Sequence, residues 1–308
     1  MSRKHAPGLS IIAAAVAGIL SFSGCANPPL EVANTSPRDV GTPVKVSEVD
    51  SIAAMVPEEY RKRGTFTVSI NPDVAPVKFV NGDGEIKGLS PDIINSAAKV
   101  MGLKADIQKG NFDAMVPGLE SKRFDVIASI GDFKERQEKI DFIDYLMTGT
   151  SMLASADFPR DKMTPDDLCG LTVGYARGTT QQGQIERASE KCKDRGEKKI
   201  EPVGYGDGSA GVLAVKSKQD DIFWGDGPII EFNAATSPEI YKSVFEEISL
   251  PYGIGVHKDN SQFRDALRAA LLHLEKTGYY KQALEQWGQE RSIMKGFPLN
   301  DGPSSADL

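Results

Sequence analysis

The chain has 308 residues, of which 40% are hydrophobic and 26% charged, and this composition excludes a disordered or fibrous protein. Lys and Arg total 36 against 43 Asp and Glu, a net charge of −7, whereas a nucleic-acid-binding protein is expected to be basic. Only three histidines and three cysteines are present, so we expect neither a His/Cys metal cluster nor a cofactor.

The first 24 residues have the pattern of an export signal. Arg3 and Lys4 precede an uncharged apolar run at residues 9–22, which is shorter than the roughly 20 residues of a membrane-spanning helix. The run ends in LSFSGC, which resembles a bacterial lipobox, where Cys25 would be lipidated and become the new N-terminus. Ordinary signal-peptidase cleavage nearby is the alternative. Residues 25–50 are predicted to be the lipidated cysteine and a flexible tether, because they lack a helical or strand period.

Strands and helices alternate along the first half of the chain. The predicted order is helix 52–62 broken near Pro57, strand 65–71, turn 81–84, a helix opened by Ser90 as N-cap, strand 103–108, helix 112–121 and strand 124–129. This alternation predicts an α/β fold with a parallel sheet.

A second alternating set begins near residue 165. Its predicted order is strand 171–175, helix 179–193, strand 199–203, helix 209–216, strand 221–224, helix 228–234, extended segments 243–249 and 252–256, and helices from Ser261 and over 279–287. Residues 298–308 are predicted to be a disordered tail.

Besides Cys25, the predicted mature chain contains two cysteines, Cys169 and Cys192. In an exported protein such a pair is expected to form a disulfide, which stabilises by about 3 kcal/mol. Two buried thiols are the alternative.

Four segments of the sequence resemble bacterial extracellular solute-binding proteins of family 3, which deliver polar amino acids to ABC importers. They are GTFTVSINPDVAP, NFDAMVPGLESKRFDVIASIGDFKERQEKIDF, LCGLTVGYARGTTQ and PYGIGVHKDN, and the similarity spans about residues 52–287. The resemblance implies an α/β, two-lobed, periplasmic-binding-protein-like (type II) fold, with a ligand cleft between the lobes and two hinge strands. Lobe 1 would comprise residues 51–150 plus 249–297, and lobe 2 residues 151–248.

The resemblance also implies a set of ligand-binding residues. A buried carboxylate is best bound by an arginine and helix-start N–H groups, and a buried ammonium by a carboxylate. In this family pattern the ligand carboxylate falls to Arg136 with the loop at residues 178–181, and the ammonium to Asp226. The full set of candidates is Phe112, Ser129, Gly131, Asp132, Arg136, Thr179, Thr180, Gln181 and Asp226.

Each of these residues has a plainer interpretation from the local pattern alone. Arg136 stands in the charged segment KERQEK, which is typical of a solvated surface, and Asp226 stands in the turn-like WGDGP. Phe112 at a helix start is more often an apolar packing residue. Asp132 departs from the family pattern, and it either meets a polar group of the ligand or caps the turn at 134–139.

We therefore expect a lipid-anchored, monomeric substrate-binding component of an ABC importer that takes a polar amino acid or close derivative. It would lie on the outer face of the cytoplasmic membrane, would work with a permease and its ATPase, and would bind no nucleic acid. We expect no enzymatic activity. The alternatives are an enzyme resembling cyclohexadienyl dehydratase on the same fold, for which Asp132 and Asp226 could supply paired carboxylates, or a sensor that presents its ligand to a receptor.

Overall fold

In a computed structural model of the chain, residues 1–2 and 36–305 are described. The chain divides into a short unit, Met1–Glu31, and a main unit, Val32–Leu308, to which all the described helices and strands belong. Apart from Met1 and Ser2, the predicted signal peptide lies outside the described residues, as do Cys25 and residues 26–35 of the predicted tether. Within the described ranges, no helix is both long and apolar enough to cross a membrane.

Helices and strands alternate through the main unit. The α-helices are α1 Asp50–Ala53, α2 Glu58–Arg63, α3 Leu89–Val100, α4 Phe112–Glu120, α5 Lys134–Gln137, α6 Thr180–Asp194, α7 Gly208–Lys216, α8 Gly227–Thr236, α9 Ser261–Lys276 and α10 Tyr279–Gln286. The strands are β1 Thr65–Ile70, β2 Asp73–Val74, β3 Lys78–Val80, β4 Ile86–Lys87, β5 Lys104–Lys109, β6 Val126–Gly131, β7 Ile140–Ser155, β8 Thr172–Ala176, β9 Glu201–Tyr205, β10 Ile222–Asp226 and β11 Tyr241–His257.

The larger of two sheets joins two lobes. Its strand order is β5-β1-β6-β11-β7-β10-β8-β9. Strands β5, β1 and β6 pair in parallel in the first lobe, and β10, β8 and β9 pair in parallel in the second. Between them, β7 and β11 pair antiparallel along their whole length, from Tyr241 opposite Ser155 to His257 opposite Ile140. These two strands therefore run through both lobes and form the two expected hinge strands.

The hinge strands approach very closely at one glycine. Gly149 of β7 faces the β11 backbone, and a Cβ there would overlap the carbonyl oxygen of Glu247. The register between β7 and β11 shifts close by, between Ile248 and Leu250. Only glycine fits this close backbone approach.

Each lobe has its own hydrophobic core. Residues from 52–146 and 252–297 form one cluster, in which Phe66 and Phe263 are fully buried. A second cluster from residues 152–244 surrounds Trp224. Val74 belongs to the small antiparallel sheet β2-β3-β4 that follows β1, but it packs with Phe223 of the second lobe. Apolar contact therefore crosses from one lobe to the other.

The predicted disulfide is confirmed. Cys169, in the turn before β8, is bonded to Cys192 of α6. Cys192 is fully buried in the core of the second lobe, and Cys169 packs against that core. The bond ties the entry of β8 to the end of the helix that follows it.

The N-terminal tether is shorter than predicted. From residue 36 onward the chain runs along the first lobe, where Val46 and Val49 pack against its core. The Gln282 side chain of α10 accepts from Val44 N and donates to Thr42 O. The two valines and the Gln282 amide bind the segment to the lobe. These contacts could not be predicted from the sequence, because the segment has no helical or strand periodicity.

Residues 298–305 of the C-terminal tail are also bound, contrary to the expectation of disorder. Leu299 forms an isolated bridge with Ile143, and Asn300 accepts at its side chain from Phe142 N at 2.7 Å. Further on, Gly302 N donates to Asp132 Oδ2 at 2.9 Å, and Ser305 O accepts from Arg187 Nη2 at 3.3 Å. The polar residues that suggested a free tail instead supply its hydrogen bonds to both lobes.

Helix α3 begins two residues earlier than predicted and without a serine cap. Its N-cap position is Gly88, and Ser90 lies inside the first turn. The Ser90 hydroxyl is buried and hydrogen-bonds the Tyr145 hydroxyl. A distant tertiary partner thus takes the hydroxyl that local sequence assigned to capping.

Candidate ligand-binding cleft

A cavity lies between the lobes at the carboxyl ends of the parallel strands. The first lobe contributes Asn71, Asp73, Val74, Lys78 and Phe112, and the second contributes Ala176, Thr179, Gly206, Asp207, Gly208, Phe223, Gly225, Asp226 and Ile229. Several of these residues end or directly follow β1, β8, β9 and β10. This is where open α/β sheets bind their ligands.

Phe112 opens α4 and lies among cationic side chains. The Arg136 guanidinium carbon is 5.5 Å from the centre of the Phe112 ring and 5.1 Å from that of Phe133. Lys78 Nζ lies 6.0 Å from the Phe112 ring centre. These distances suit attraction between a cation and an aromatic face. Phe112 is half-buried and lines the cavity, as its predicted role requires.

Arg136, in the short helix α5, contacts both lobes. Its Nη1 donates to Gly131 O at 2.7 Å in the first lobe, and its Nη2 donates to Gly178 O at 3.4 Å in the second. A guanidinium has five N–H donors, so further donors remain for an anion beside Phe112. The sequence neighbours of Arg136 suggested a solvated surface position, but its side chain turns toward the cleft.

Asp226 ends β10 and precedes α8. Its Oδ2 accepts from the Tyr252 hydroxyl, and its Oδ1 accepts from Gln181 Nε2 at 3.3 Å. Burial and the nearby Asp226 charge raise the pKa of Tyr252 well above its usual value, so this hydroxyl remains a donor. The carboxylate is thus fixed at the edge of the cavity.

The loop before α6 brings the predicted second-lobe residues to the same place. Gly178 has φ +80°, a conformation that favours glycine, and Thr179 is the N-cap residue. Thr179 Oγ1 donates to Ala176 O at 2.6 Å, which closes the turn. Thr180 begins the helix, so the N–H groups of its first turn lack acceptors within the helix. Gln181 donates to Thr150 Oγ1 at 3.0 Å as well as to Asp226.

Ser129 and Gly131, at the end of β6, face the two cations with their backbone rather than with side chains. Ser129 O accepts from Lys78 Nζ at 2.8 Å, and Gly131 O accepts from Arg136. The Ser129 hydroxyl is buried and hydrogen-bonds Tyr145 at 2.7 Å. These two carbonyls position the cations of the cleft.

Of the nine candidates, Phe112, Thr179 and Asp226 line the cavity, and Asp132 points away from it. Its carboxylate is fully buried and accepts from Gln137 Nε2 at 2.9 and 3.0 Å and from Gly302 N. Phe133, not Asp132, is the N-cap residue of α5, and no side chain caps it. Both sequence-based interpretations of Asp132 are therefore wrong, because its partners lie on α5 and on the C-terminal tail.

Three charged residues of the cavity were missed from the sequence: Asp73, Lys78 and Asp207. Asp73 of β2 accepts at Oδ2 from Gly208 N, the first residue of α7, at 2.8 Å. Lys78 of β3 is only 1% exposed. Burial lowers the pKa of Lys78, and the Asp73 and Asp226 charges act in the opposite direction. The available signal was a single lysine between the apolar residues Val77 and Phe79, just after the loop matched to the ligand side of the family pattern.

A family model for bacterial extracellular solute-binding proteins, family 3, matches residues 66–290. The chain belongs to this family. The match includes the hinge strands and the described cavity residues, and it ends before the C-terminal tail.

Relatives in this family carry names for amino acid binding. The chain is 30% identical over 260 residues to "Arginine-binding protein ArgT" of Corynebacterium glutamicum, covering 83% of this chain and 84% of the relative. It is 27% identical over 254 residues to "Lysine/arginine/ornithine-binding periplasmic protein" of Escherichia coli, covering 79% and 93%. These relatives are extracellular or periplasmic binding proteins, which supports export of this chain.

A solved structure from the family has the same fold. A mutant of ArgBP from T. maritima matches with a TM-score of 0.68 and 27% identity, covering 75% of this chain and 98% of that one. The expected two-lobed, type II periplasmic-binding-protein fold is confirmed.

Proposed function

We propose that this family 3 protein captures a polar amino acid or close derivative between its two lobes and delivers it to the permease of an ABC importer. One observation carries the proposal. The carboxylate of Asp226 lines the cavity from one lobe, and the guanidinium of Arg136 lies on the other lobe against Phe112, whose ring also lines the cavity. The names of the relatives support an amino acid as the ligand.

The charges of the cleft complement a zwitterion. Arg136 and the N–H groups at the start of α6 would hold the ligand carboxylate, since a planar two-pronged donor and a helix N-terminus both suit that group. Asp226, kept in place by Tyr252 and Gln181, would hold the ammonium. Phe112 would form an apolar wall that excludes water from both contacts.

The rest of the proposal concerns movement and attachment. Residues 51–150 plus 249–297 would form lobe 1 and residues 151–248 lobe 2, and the lobes would close about β7 and β11. The protein would be a monomer on the outer face of the cytoplasmic membrane, anchored by a lipid on Cys25. Its partner would be a permease with its ATPase.

The described part of the cleft does not favour the dehydratase alternative. Such an elimination needs a positioned general acid or base at the bound ring. The two histidines of the described chain, His257 at the end of β11 and His273 on α9, are not among the cavity-lining residues. Asp132, which could have paired with Asp226, faces the C-terminal tail. We therefore propose binding without turnover.

Isothermal titration of the purified protein with the common L-amino acids tests the proposal. We expect at least one amino acid to bind, and Arg136→Ala and Asp226→Asn each to weaken its binding by at least about tenfold, or about 1.4 kcal/mol. Arg61→Ala, at an exposed position on α2, is the matched control and should bind as the unmodified protein does. An absence of amino acid binding, or full affinity in Arg136→Ala, would contradict the proposal.

A further inference from the structure

The cavity contains a buried lysine with unused hydrogen-bonding capacity. Lys78 Nζ donates to Ser129 O at 2.8 Å and lies 5.6 Å from the Tyr252 ring centre. An ammonium has three N–H donors. The bond to Ser129 O is the one hydrogen bond that Lys78 makes among residues 36–305, and none of the carboxylates there lies within 4.0 Å of its Nζ. Leaving a buried charge so weakly paired is unfavourable. The two remaining donors need acceptors from something that enters the cavity.

Each carboxylate of the cavity lining has a donor from elsewhere in the protein, so none of them depends on Lys78 for a partner. Asp73 accepts from Gly208 N at 2.8 Å, and Asp207 accepts from Ala210 N at 2.9 Å. Both donors are backbone groups in the first turn of α7, where the helix dipole further favours a negative charge. Asp226 accepts from a tyrosine and a glutamine. Lys78 is thus the one cation among the residues that line the cavity, and two of its three N–H donors have no acceptor in the described part of the chain.

We propose that Lys78 determines which amino acid is bound, and that it selects a side chain ending in an acceptor oxygen, a carboxylate or a carboxamide. This inference rests on the proposed function, with Arg136 and Asp226 engaged by the α-carboxylate and α-ammonium. The side-chain oxygen would then accept from Lys78 Nζ. A ligand guanidinium or ammonium in the same space would instead meet a like charge in a buried site.

The proposal separates this chain from the relatives named for arginine and lysine. Asp73, Asp207 and Asp226 also line the cavity, but a cationic side chain that reached Lys78 would meet a like charge, with Arg136 nearby across Phe112. Acidic and amide amino acids are therefore expected to bind more tightly than basic ones. The rest of the cavity sets the length of the ligand side chain. Carboxylate and carboxamide side chains both end in the acceptor oxygen that Lys78 requires.

Titration of the purified protein with L-glutamine, L-glutamate, L-asparagine, L-aspartate, L-arginine and L-lysine tests this inference. We expect one of the first four to bind at least about tenfold more tightly than arginine or lysine. If arginine or lysine binds as tightly or more tightly, this inference is overturned while the proposed function stands. If no amino acid binds, the proposed function fails, and the inference fails with it.

Variants at position 78 give a second, independent readout. Lys78→Met keeps the length and apolar stem but removes the charge, and it should lose at least about tenfold affinity for the acidic or amide ligand. Lys87→Met, at an exposed lysine on β4, is the matched control and should leave that affinity unchanged. Unchanged affinity in a folded Lys78→Met variant would overturn the inference. If Lys78→Met does not fold, the affinities of Lys78→Glu for arginine and for glutamine are measured instead. The inference requires that this variant bind arginine more tightly, relative to glutamine, than the unmodified protein does.

Discussion

Asp73 and Gly208 lie on different lobes and are joined by a hydrogen bond of 2.8 Å from Gly208 N to Asp73 Oδ2. The acceptor is a side chain of the small sheet beside β1, and the donor opens α7 in the second lobe. Arg136 makes a similar crossing to Gly178. Polar contacts of this kind exist only when the lobes are together, so they contribute to the closed form and not to an open one.

Removing the Asp73 carboxylate should therefore weaken ligand binding without unfolding the protein. A net contribution of about 0.5–1.5 kcal/mol for one hydrogen bond corresponds to a loss of roughly two- to tenfold in affinity for Asp73→Ala. Isothermal titration measures the loss. Asp83→Ala, in the exposed turn after β3, should retain full affinity, and an Asp73→Ala variant that also retained it would show that the bond does not help closure.

Loss of the disulfide should reduce stability and leave the cleft intact. Cys169→Ser removes the bond between the entry of β8 and α6. Such a bond stabilises a fold by about 3 kcal/mol, so the midpoint of thermal unfolding should fall by roughly 6–12 °C. Thermal unfolding with and without a reducing agent measures this. The unmodified protein should lose stability on reduction, and the variant should not respond. A large change in ligand affinity would mean that the bond also shapes the cleft.

The buried pair Asp132 and Asp144 should make stability depend on pH. Burial and the neighbouring Asp132 charge raise the pKa of Asp144 to about 8, so the folded protein keeps a proton that the unfolded chain releases near pH 3.9. Its contribution to stability is complete below about pH 4 and is lost as the pH rises through 8. Between pH 5 and pH 8 the midpoint of thermal unfolding of the unmodified protein should fall. In Asp144→Asn the fall over the same pH range should be smaller by a few degrees.

The control for that experiment is Asp83→Asn, which changes an exposed carboxylate and should keep the full pH dependence. An Asp144→Asn variant with an unaltered pH dependence would contradict a protonated Asp144 in the folded state.

A side chain at the hinge glycine should be poorly tolerated. In Gly149→Ala the new Cβ would overlap Glu247 O, so the β7–β11 pairing must shift, at a loss of about 1–3 kcal/mol. Gly82→Ala, in an open turn with no atom near its would-be Cβ, should change stability by less than about 0.5 kcal/mol. Chemical denaturation of both variants checks the contrast, and equal stability would show that the strands accommodate the methyl group.

The sequence predicted the repeating parts of this fold because their signals are local. Period-two apolar runs and amphipathic helices marked β1, β5, α4 and the second-lobe units close to their actual bounds. Strand β7 was not predicted from its own pattern, since almost all of its residues are buried on both faces. A strand that serves two lobes has no exposed face to produce alternation.

The candidate site was predictable where the family pattern supplied the spacing, and not where the contacts are distant. Arg136, Phe112 and Asp226 meet at the cleft although their sequence neighbourhoods suggested a surface, a packing residue and a turn. Asp132 was misassigned because its partner Gly302 lies 170 positions away. Lys78 escaped notice because a strand position between two apolar residues gives no sign of which way its ammonium points.

The bound C-terminal tail has a practical consequence for measuring ligands optically. Ser305 contacts Arg187 on α6, the same helix whose first turn borders the cavity, and the Glu135 side chain beside Arg136 accepts from Ser304 and Ser305. A solvent-sensitive dye coupled at position 305 would lie against both lobes. Under the proposed closure its fluorescence would report ligand binding, which makes position 305 a natural attachment point for a biosensor.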